Sequence, residues 1–197
     1  MTDRLAYDSR MTPWTDLHWL NEPDWSTEGQ TLRMTTRDQT DFWRTTHYGF
    51  VRDSGHFLHT GPLQEFTARV RIEGEYQALY DQAGLMVRSG PAQWVKAGVE
   101  FVGEQQVSAV VTRDFSDWNV RPVGHPEAVE LKVTRRGDTL SVQVRLPGQD
   151  WGLLRLAYYP PGVSVVVGVF ACSPERAGFH ARFSEFEVGA PEEGALY

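Results

Sequence analysis

The stretch that decides the fold is YDQAGLMVRSGPAQWVKAGVEFV, residues 80–102. Its second half, 94–101, carries apolar residues at every second position, which is typical of a strand with one face on a core. The Ser-Gly-Pro sequence at 89–91 supplies a turn. In the first half, Leu85 and Val87 take the core side. These residues therefore predict two antiparallel strands joined by a tight turn.

Strand parity places five other side chains on the opposite face of this pair: Gln82, Arg88, Trp94, Lys96 and Glu100. An indole among hydrogen-bonding groups suits a polar ligand. A solvated surface with a Lys/Glu pair explains the same residues, since antiparallel sheets commonly leave one face in water. Because a sandwich is expected to have a single core, both interpretations predict that the five side chains are exposed.

Alternating apolar residues recur along the rest of the chain. They predict further strands at 31–35, 65–74, 105–113, 129–134 and 140–146. The nearly continuous apolar run at 163–171 predicts a central strand covered on both faces. A phase slip near Ser184 and Glu185 predicts a bulge in the last strand.

We interpret the polar segment 114–126, DFSDWNVRPVGHP, as a long loop. The whole chain then contains about eleven or twelve strands and no amphipathic helix, which predicts an all-β sandwich.

Length, charge and apolar content limit the classes of function that the chain can have. The 197 residues fit one domain, predicted at 13–189, with a disordered N-terminus at 1–12 and a flexible tail at 190–197. The net charge of -7 argues against a nucleic-acid partner, which needs a basic patch. No apolar run reaches membrane-spanning length and the N-terminus does not resemble a signal peptide, so we expect a cytoplasmic protein without a membrane partner.

Cys172 is the only cysteine, so an internal disulfide and a thiol-rich metal site are both excluded. Its position at the end of the apolar run 163–171 predicts a shielded, inert thiol.

Five short motifs together resemble a known family: WLNEP at 19–23, TDFWR at 40–44, YDQAGLMVR at 80–88, WVKAGVE at 94–100 and VVTRDFSDW at 110–118. The family takes its name from "regulation of enolase protein" and is grouped in the concanavalin A-like lectin/glucanase superfamily. The resemblance implies a jelly-roll sandwich of two antiparallel sheets, with the ligand site of lectin and glucanase relatives on the concave face. It implies no reaction. Trp43, Asp117 and Trp118 would lie at the rim of that face.

Catalysis is disfavoured on several grounds. Glycoside hydrolysis needs two carboxyl groups flanking the scissile bond, and the resemblance implies acidic residues at alternate positions of one strand. Here Glu100 is followed by Val102, and Glu104 lies in the next turn. No Gly-x-Ser-x-Gly elbow occurs, and the histidines at 47, 56 and 59 match no familiar metal-binding spacing. We therefore expect no catalytic residue, no metal and no cofactor.

The sequence thus predicts a non-catalytic domain that binds a carbohydrate or another polar small molecule on the concave face. Eight residues are candidates for ligand binding: Trp43, Gln82, Arg88, Trp94, Lys96, Glu100, Asp117 and Trp118. The alternative is a regulatory protein-interaction module that acts on a metabolic enzyme, which an exposed apolar patch would favour.

Overall fold

The computed structural model describes residues 11–193. Within them, one short 3-10 helix, Trp14–Asp16, precedes sixteen strands. In chain order the strands are β1 His18–Leu20, β2 Asp24–Glu28, β3 Thr31–Thr35, β4 Phe42–Arg44, β5 Val51–Asp53, β6 His56–His59, β7 Phe66–Gly74, β8 Gln82–Gly90, β9 Gln93–Phe101, β10 Gln105–Arg113, β11 Phe115–Gly124, β12 Val129–Arg136, β13 Thr139–Arg145, β14 Gly152–Tyr158, β15 Val166–Cys172 and β16 His180–Gly189.

Fourteen of these strands form two seven-stranded antiparallel sheets. The front sheet has the order β1-β6-β15-β8-β9-β10-β11, and the back sheet has the order β14-β13-β12-β7-β16-β3-β2. The remaining strands, β4 and β5, pair only with each other. The predicted all-β sandwich of two antiparallel sheets is confirmed.

The main core lies between the two sheets and is built by the predicted alternation. On β7, Phe66, Ala68, Val70 and Ile72 are buried, and Leu85, Val87, Val95 and Val99 face them from β8 and β9. Full burial of one such aliphatic side chain stabilises a fold by roughly 1.5–3 kcal/mol. The predicted β8–β9 hairpin is present, and its register places Gln82 opposite Glu100 and Arg88 opposite Trp94.

The central strand and the bulge are also confirmed. β15 lies between β6 and β8, with Val167 and Val169 in the main core and Phe170 packed on the other side. The pairing of β16 with β7 shifts between Ser184 and Glu187. At the end of β15, Cys172 is fully buried, and this burial raises the pKa of its thiol.

The segment 114–126 is not the predicted loop. Residues 115–124 form β11, which pairs along its length with β10 after a tight turn at Asp114, whose φ is 62°. β11 is the edge of the front sheet, so it needs no regular apolar alternation and tolerates Pro122.

Hydrogen bonds to the sheets involve residues of both predicted terminal segments. Met11 bridges to Glu187, and the Thr12 N–H donates to the Phe186 carbonyl at 3.0 Å. At the other end, the Glu192 N–H donates to Thr67 Oγ1 at 2.9 Å. Of the two predicted terminal segments, residues 1–10 and 194–197 lie outside the described residues. Across 11–193, no helix has the length and apolarity needed to cross a membrane.

Candidate functional site

A second apolar core covers part of the front sheet on its outer face, the face turned away from the main core. The β4–β5 hairpin lies there and joins β6, β8, β9, β10 and β15 in a cluster of Phe42, Trp43, Phe57, Met86, Trp94, Val110, Phe170 and Cys172. Trp94 is 0% exposed and meets Phe42 edge-on at 6.3 Å. The expectation of a single core is therefore wrong. Trp94 does point away from the main core, but into this second cluster instead of solvent.

Polar contacts fasten the hairpin to the front sheet. Arg88 donates two hydrogen bonds to Asp53, at 2.6 and 2.7 Å, and its side chain is only 10% exposed. The Arg44 N–H donates to Ser116 Oγ at 3.0 Å. Bidentate Arg–carboxylate pairs fix orientation as well as distance. Arg88 is thus occupied in holding β5, and it does not line the pocket described next.

A pocket of about 170 Å³ opens beside the hairpin. Its polar floor consists of Asp41, Gln82, Lys96 and Glu100, and its aromatic wall consists of Trp43, Tyr48, Phe50, Tyr80 and Trp118. Arg52, Val110, Pro174 and Glu175 complete the lining. Strands β8 and β9 supply most of the floor, whereas the wall comes from the hairpin, β11 and the loop before β8.

The floor is a connected hydrogen-bond network. Lys96 Nζ donates to Gln82 Oε1 at 2.6 Å and lies 3.4 Å from Asp41 Oδ1. Gln82 Nε2 donates to the Tyr80 carbonyl at 3.2 Å and more weakly to Asp41 Oδ1 at 3.4 Å. The Phe42 N–H donates to the same Asp41 oxygen at 2.8 Å. Three of the four floor side chains, Asp41, Gln82 and Lys96, are thereby fixed in position before a ligand arrives.

Glu100 is the unusual member of the floor. Burial raises the pKa of its carboxyl, and Asp41 raises it further, although Lys96 and hydrogen bonds from Ser108 and Trp118 act in the opposite direction. The Trp118 indole Nε1–H donates to Glu100 Oε2 at 3.1 Å. A carboxyl group held in a pocket where burial disfavours its charge is typical of functional positions.

The rings of the aromatic wall stand at steep angles to one another. Trp43 meets Trp118 at 6.4 Å and 89°, and it meets Tyr48 at 5.6 Å and 77°. Trp118 is 38% exposed and Tyr48 is 42% exposed, whereas Trp43 is 8% exposed. A ligand can therefore contact the exposed rings of Trp118 and Tyr48, and the buried Trp43 packs against both of them.

Tyr80 closes the wall by contacting Tyr48. Their hydroxyl groups lie 2.9 Å apart, and this hydrogen bond, assisted by burial, raises the pKa of Tyr80 to about 12. The Tyr80 hydroxyl therefore stays protonated at neutral pH and can donate to a ligand or to Tyr48.

Three residues in the loops that carry this wall have a positive φ, which residues other than glycine rarely adopt. Thr45, His47 and Tyr80 have φ of 62°, 64° and 64°, and each such residue costs about 1–2 kcal/mol. Compensating bonds join the Thr45 N–H to the Phe50 carbonyl at 2.7 Å and the Tyr80 N–H to the Phe101 carbonyl at 2.7 Å. Strained backbone of this kind clusters at ligand sites.

The structure brings five of the eight candidates together: Trp43, Gln82, Lys96, Glu100 and Trp118. Trp94 and Arg88 lie outside the pocket for the reasons given above. Asp117 points to the other side of β11, where it pairs with Arg155 at 3.2 Å, and it lines an adjoining groove.

Sequence reasoning missed most of the loop residues, namely Tyr48, Phe50, Arg52, Tyr80 and Glu175. The aromatic density of 42–50 was the one signal that could have indicated some of them.

Among residues 11–193, no group of three or more His, Cys, Asp or Glu side chains is arranged to hold an ion. Both ring nitrogens of the buried His56 are engaged, one with the Asn21 carbonyl and the other with the Arg37 N–H. Burial lowers the pKa of His56.

Comparison with known proteins relates the chain to proteins from yeast and bacteria. "Regulation of enolase protein 1" of Saccharomyces cerevisiae is 42% identical over 193 residues, covering 96% of this chain and 98% of that protein. The crystal structure of a functionally unknown protein from Saccharomyces cerevisiae has a TM-score of 0.87 at 41% identity, covering 92% of this chain and 100% of that one.

More distant solved structures share the fold alone. The GH43 protein BlXynB of Bacillus licheniformis has a TM-score of 0.70 at 17% identity, with 96% of this chain matching 40% of that one. The carbohydrate-binding module CBM66 of Bacillus subtilis has a TM-score of 0.58 at 13% identity, covering 93% and 99%.

A family model matches residues 19–191, which is nearly the whole sandwich. Together with the yeast relative, this match shows that the chain belongs to the family described as "Protein of unknown function (DUF1349)".

Proposed function

We propose that the pocket binds a neutral sugar residue, or a polyhydroxy molecule of similar size, without converting it. The observation that carries this proposal is the aromatic wall standing over a fixed polar floor. Aromatic faces pack on the C–H surface of a sugar, and fixed polar groups select its hydroxyls. The pocket volume of about 170 Å³ equals roughly five or six water molecules at about 30 Å³ each, which is the scale of one monosaccharide.

The charges of the pocket favour a neutral ligand. Three carboxylates, Asp41, Glu100 and Glu175, face two cations, Lys96 and Arg52. Lys96 is engaged with Gln82 and Asp41, and Arg52 lies over the Phe50 ring at 4.8 Å. The groups left for a ligand are mainly acceptors, so hydroxyl donors are favoured and an anionic sugar is disfavoured.

The same geometry supports binding instead of hydrolysis. Hydrolysis requires two carboxyl groups on opposite sides of the scissile bond. Asp41 and Glu100 both belong to the floor, and each already accepts a hydrogen bond, Asp41 from the Phe42 N–H and Glu100 from the Trp118 indole. One structural neighbour is a carbohydrate-binding module, but its similarity to this chain is one of fold alone. The support for sugar binding by this chain therefore comes from its pocket.

Sugar binding is expected to depend on Trp118 and Glu100. Against glucose, galactose, mannose, xylose, arabinose and fructose, with glucuronate as the anionic counterpart, calorimetry should detect at least one neutral sugar and no preference for glucuronate. The Trp118→Ala change should weaken binding about fivefold, since one aromatic contact contributes on the order of 1 kcal/mol. Glu100→Gln should also weaken binding while leaving the melting temperature unchanged or higher, because it removes a carboxyl whose charge burial disfavours.

The matched control is Trp25→Ala, which removes an indole of nearly equal exposure, 37%, from the back sheet. It should leave the dissociation constant unchanged. Equal weakening by Trp25→Ala and Trp118→Ala, or no binding of any sugar by the unchanged protein, would contradict the proposal.

A second candidate function is contact with a protein partner, as the name of the yeast relative suggests for that protein. This candidate is supported by exposed apolar side chains on two edge strands, one from each sheet. On β11, Phe115 and Val120 are exposed, and on β14, Leu156 and Tyr158 are exposed. The Arg155–Asp117 ion pair joins the two strands. Sedimentation of the chain mixed with enolase distinguishes the two candidate functions. Contact with a protein partner predicts that the two proteins sediment together, whereas sugar binding predicts that they do not.

A further inference from the structure

The last described residues lie on the outer face of the back sheet, the face turned away from the main core. After β16 ends at Gly189, residues 190–193, the tail segment, contact β7 and β12. The Glu192 N–H donates to Thr67 Oγ1 at 2.9 Å. Thr67 is in turn hydrogen-bonded at 2.9 Å to Thr134, which lies directly opposite it on β12. The tail segment is therefore held through its backbone as well as through its side chains.

Two cations on neighbouring strands clamp the Glu192 carboxylate. Arg69 on β7 and Lys132 on β12 lie directly opposite each other. Arg69 pairs with one carboxylate oxygen of Glu192, and Lys132 Nζ lies 3.5 Å from the other. The Lys132 side chain is only 12% exposed, and its ammonium group lies 4.9 Å from the centre of the Trp151 ring. The two strands thus form a carboxylate-binding site, which the protein's own Glu192 fills.

A third cation extends this site along β12. Arg136 pairs with Glu193 at 3.2 Å. Among residues 11–193, Arg69, Lys132 and Arg136 form ion pairs with the tail segment and with no other acidic side chain. Movement of the tail segment away from the sheet would therefore leave three unpaired cations on one face of a protein whose net charge is -7.

The contacts of the tail segment are of a kind that another acidic segment can replace. The Arg136 and Glu193 side chains are 54% and 84% exposed. Ion pairs between exposed side chains are weak, and salt screens them. Covalent linkage gives the tail segment a high effective concentration, but it supplies only two carboxylates. A separate segment with more carboxylates can therefore compete with it.

We propose that the outer face of β7 and β12 binds an acidic segment of a partner protein, and that the tail segment competes for the same site. The partner's carboxylates pair with Arg69, Lys132 and Arg136 in place of Glu192 and Glu193. Thr67 Oγ1 accepts a main-chain N–H, a group that a peptide has and that nucleic acids and phosphate chains lack. This surface lies on the opposite sheet from the pocket and does not depend on sugar binding.

Fluorescence anisotropy with a fluorescein-labelled hexaglutamate peptide tests this competition. The unchanged protein is compared with the full-length Glu192→Gln/Glu193→Gln variant, in which the tail segment keeps its length but loses both carboxylates. The variant should bind the peptide about tenfold more tightly, since each exposed ion pair changes an equilibrium by about fivefold at most. Adding Lys132→Gln should cancel most of this gain. Labelled hexaglutamine should bind neither protein, and binding of hexaglutamate should weaken from about 0.05 to about 0.5 M NaCl.

The matched control is the Glu22→Gln/Glu28→Gln variant, which changes the net charge by the same amount. Glu28 is also an exposed carboxylate paired with an arginine, Arg33, on the back sheet. This variant should bind hexaglutamate within about twofold of the unchanged protein, because removing exposed charges elsewhere has little effect. In ¹⁵N spectra of the unchanged protein, added hexaglutamate should shift the Glu192 amide resonance, since its hydrogen bond to Thr67 is broken when the tail segment is displaced.

Four results would overturn the inference. Equal tightening in the Glu22→Gln/Glu28→Gln variant would show that net charge alone governs binding. Displacement of hexaglutamate by inorganic polyphosphate of equal charge at the same concentration would show a surface for anions in general. A bound peptide that leaves the Glu192 amide resonance in place would lie elsewhere on the protein. If hexaglutamate fails to bind even the Glu192→Gln/Glu193→Gln variant, the tail segment only stabilises the sheet.

Discussion

Replacing Trp94 with alanine is expected to lower the free energy of unfolding by about 3–5 kcal/mol, the cost of removing a large aromatic side chain from a core. Trp94 is 0% exposed between Phe42 and the outer face of the front sheet. Its removal leaves a cavity beneath the hairpin that backbone pairing on both sides prevents from collapsing. Urea unfolding followed by circular dichroism measures the loss, and the melting temperature should fall by on the order of 10 °C.

A conservative variant sharpens this test. Among the described residues, no acceptor bonds the buried Trp94 indole Nε1–H. Trp94→Phe removes that donor together with part of the ring, so it should cost much less than Trp94→Ala. Trp118→Ala provides the exposed comparison and should cost less than about 1 kcal/mol. A Trp94→Ala protein with nearly unchanged stability would show that the hairpin does not form a second core.

Replacing Asp81 with asparagine is expected to cost about 3 kcal/mol at neutral pH, because it removes one partner of a buried, hydrogen-bonded charge. The Asp81 carboxylate is fully buried and accepts bonds from the Gln77 and Ala78 N–H groups, each at 3.0 Å, and from Ser173 Oγ at 2.6 Å. The Arg176 guanidinium adds bonds at 2.7 and 3.1 Å. These contacts fix the start of β8, and with it Tyr80 and one side of the pocket.

The pH dependence of this contribution has a definite sign. Burial alone would raise the pKa of Asp81, but the hydrogen bonds from Arg176, Ser173 and the two backbone N–H groups outweigh burial and lower it. The unfolded chain, with an Asp pKa of about 3.9, then binds the proton more readily than the folded chain. The stabilisation is therefore present above about pH 4 and is lost as the pH falls toward the lowered pKa of the folded state.

Urea unfolding at several pH values measures this linkage. The stability difference between the unchanged protein and Asp81→Asn should be largest above about pH 5 and should shrink toward pH 3. Asp138→Asn, at an exposed position in the β12–β13 turn, should show no such change. A difference that stays constant between pH 7 and pH 3 would contradict the account of Asp81.

The strands that build the main core could be predicted from the sequence because their pattern is local. Phe66 to Ile72 alternate with polar residues, so side-chain parity alone gives their burial. Parity also places Trp94 on the outer face correctly. It cannot show that this face is covered, because the cover, residues 42–53, lies some forty residues earlier in the chain.

The pocket could be predicted only in part for a similar reason. Gln82, Lys96 and Glu100 follow from strand parity, since they point from neighbouring strands to one face. Tyr48 and Tyr80 lie on irregular backbone that tertiary hydrogen bonds hold in place, and no periodic pattern specifies such positions. β11 was missed because an edge strand can carry polar residues and proline without disturbing the sheet.

The tryptophans allow the most direct test of the central claim, that the pocket of Trp43 and Trp118 binds a sugar. The chain has 7 tryptophans, and among the other cavities Trp25 lines one on the back sheet and Trp151 lines another. The tightest-binding sugar of the panel is titrated into ¹⁵N-labelled protein, and the indole N–H resonances are assigned by single substitutions. The account predicts that the Trp43 and Trp118 resonances shift together while those of Trp25 and Trp151 stay in place. A shift at Trp25 or Trp151 with Trp118 unmoved would contradict it.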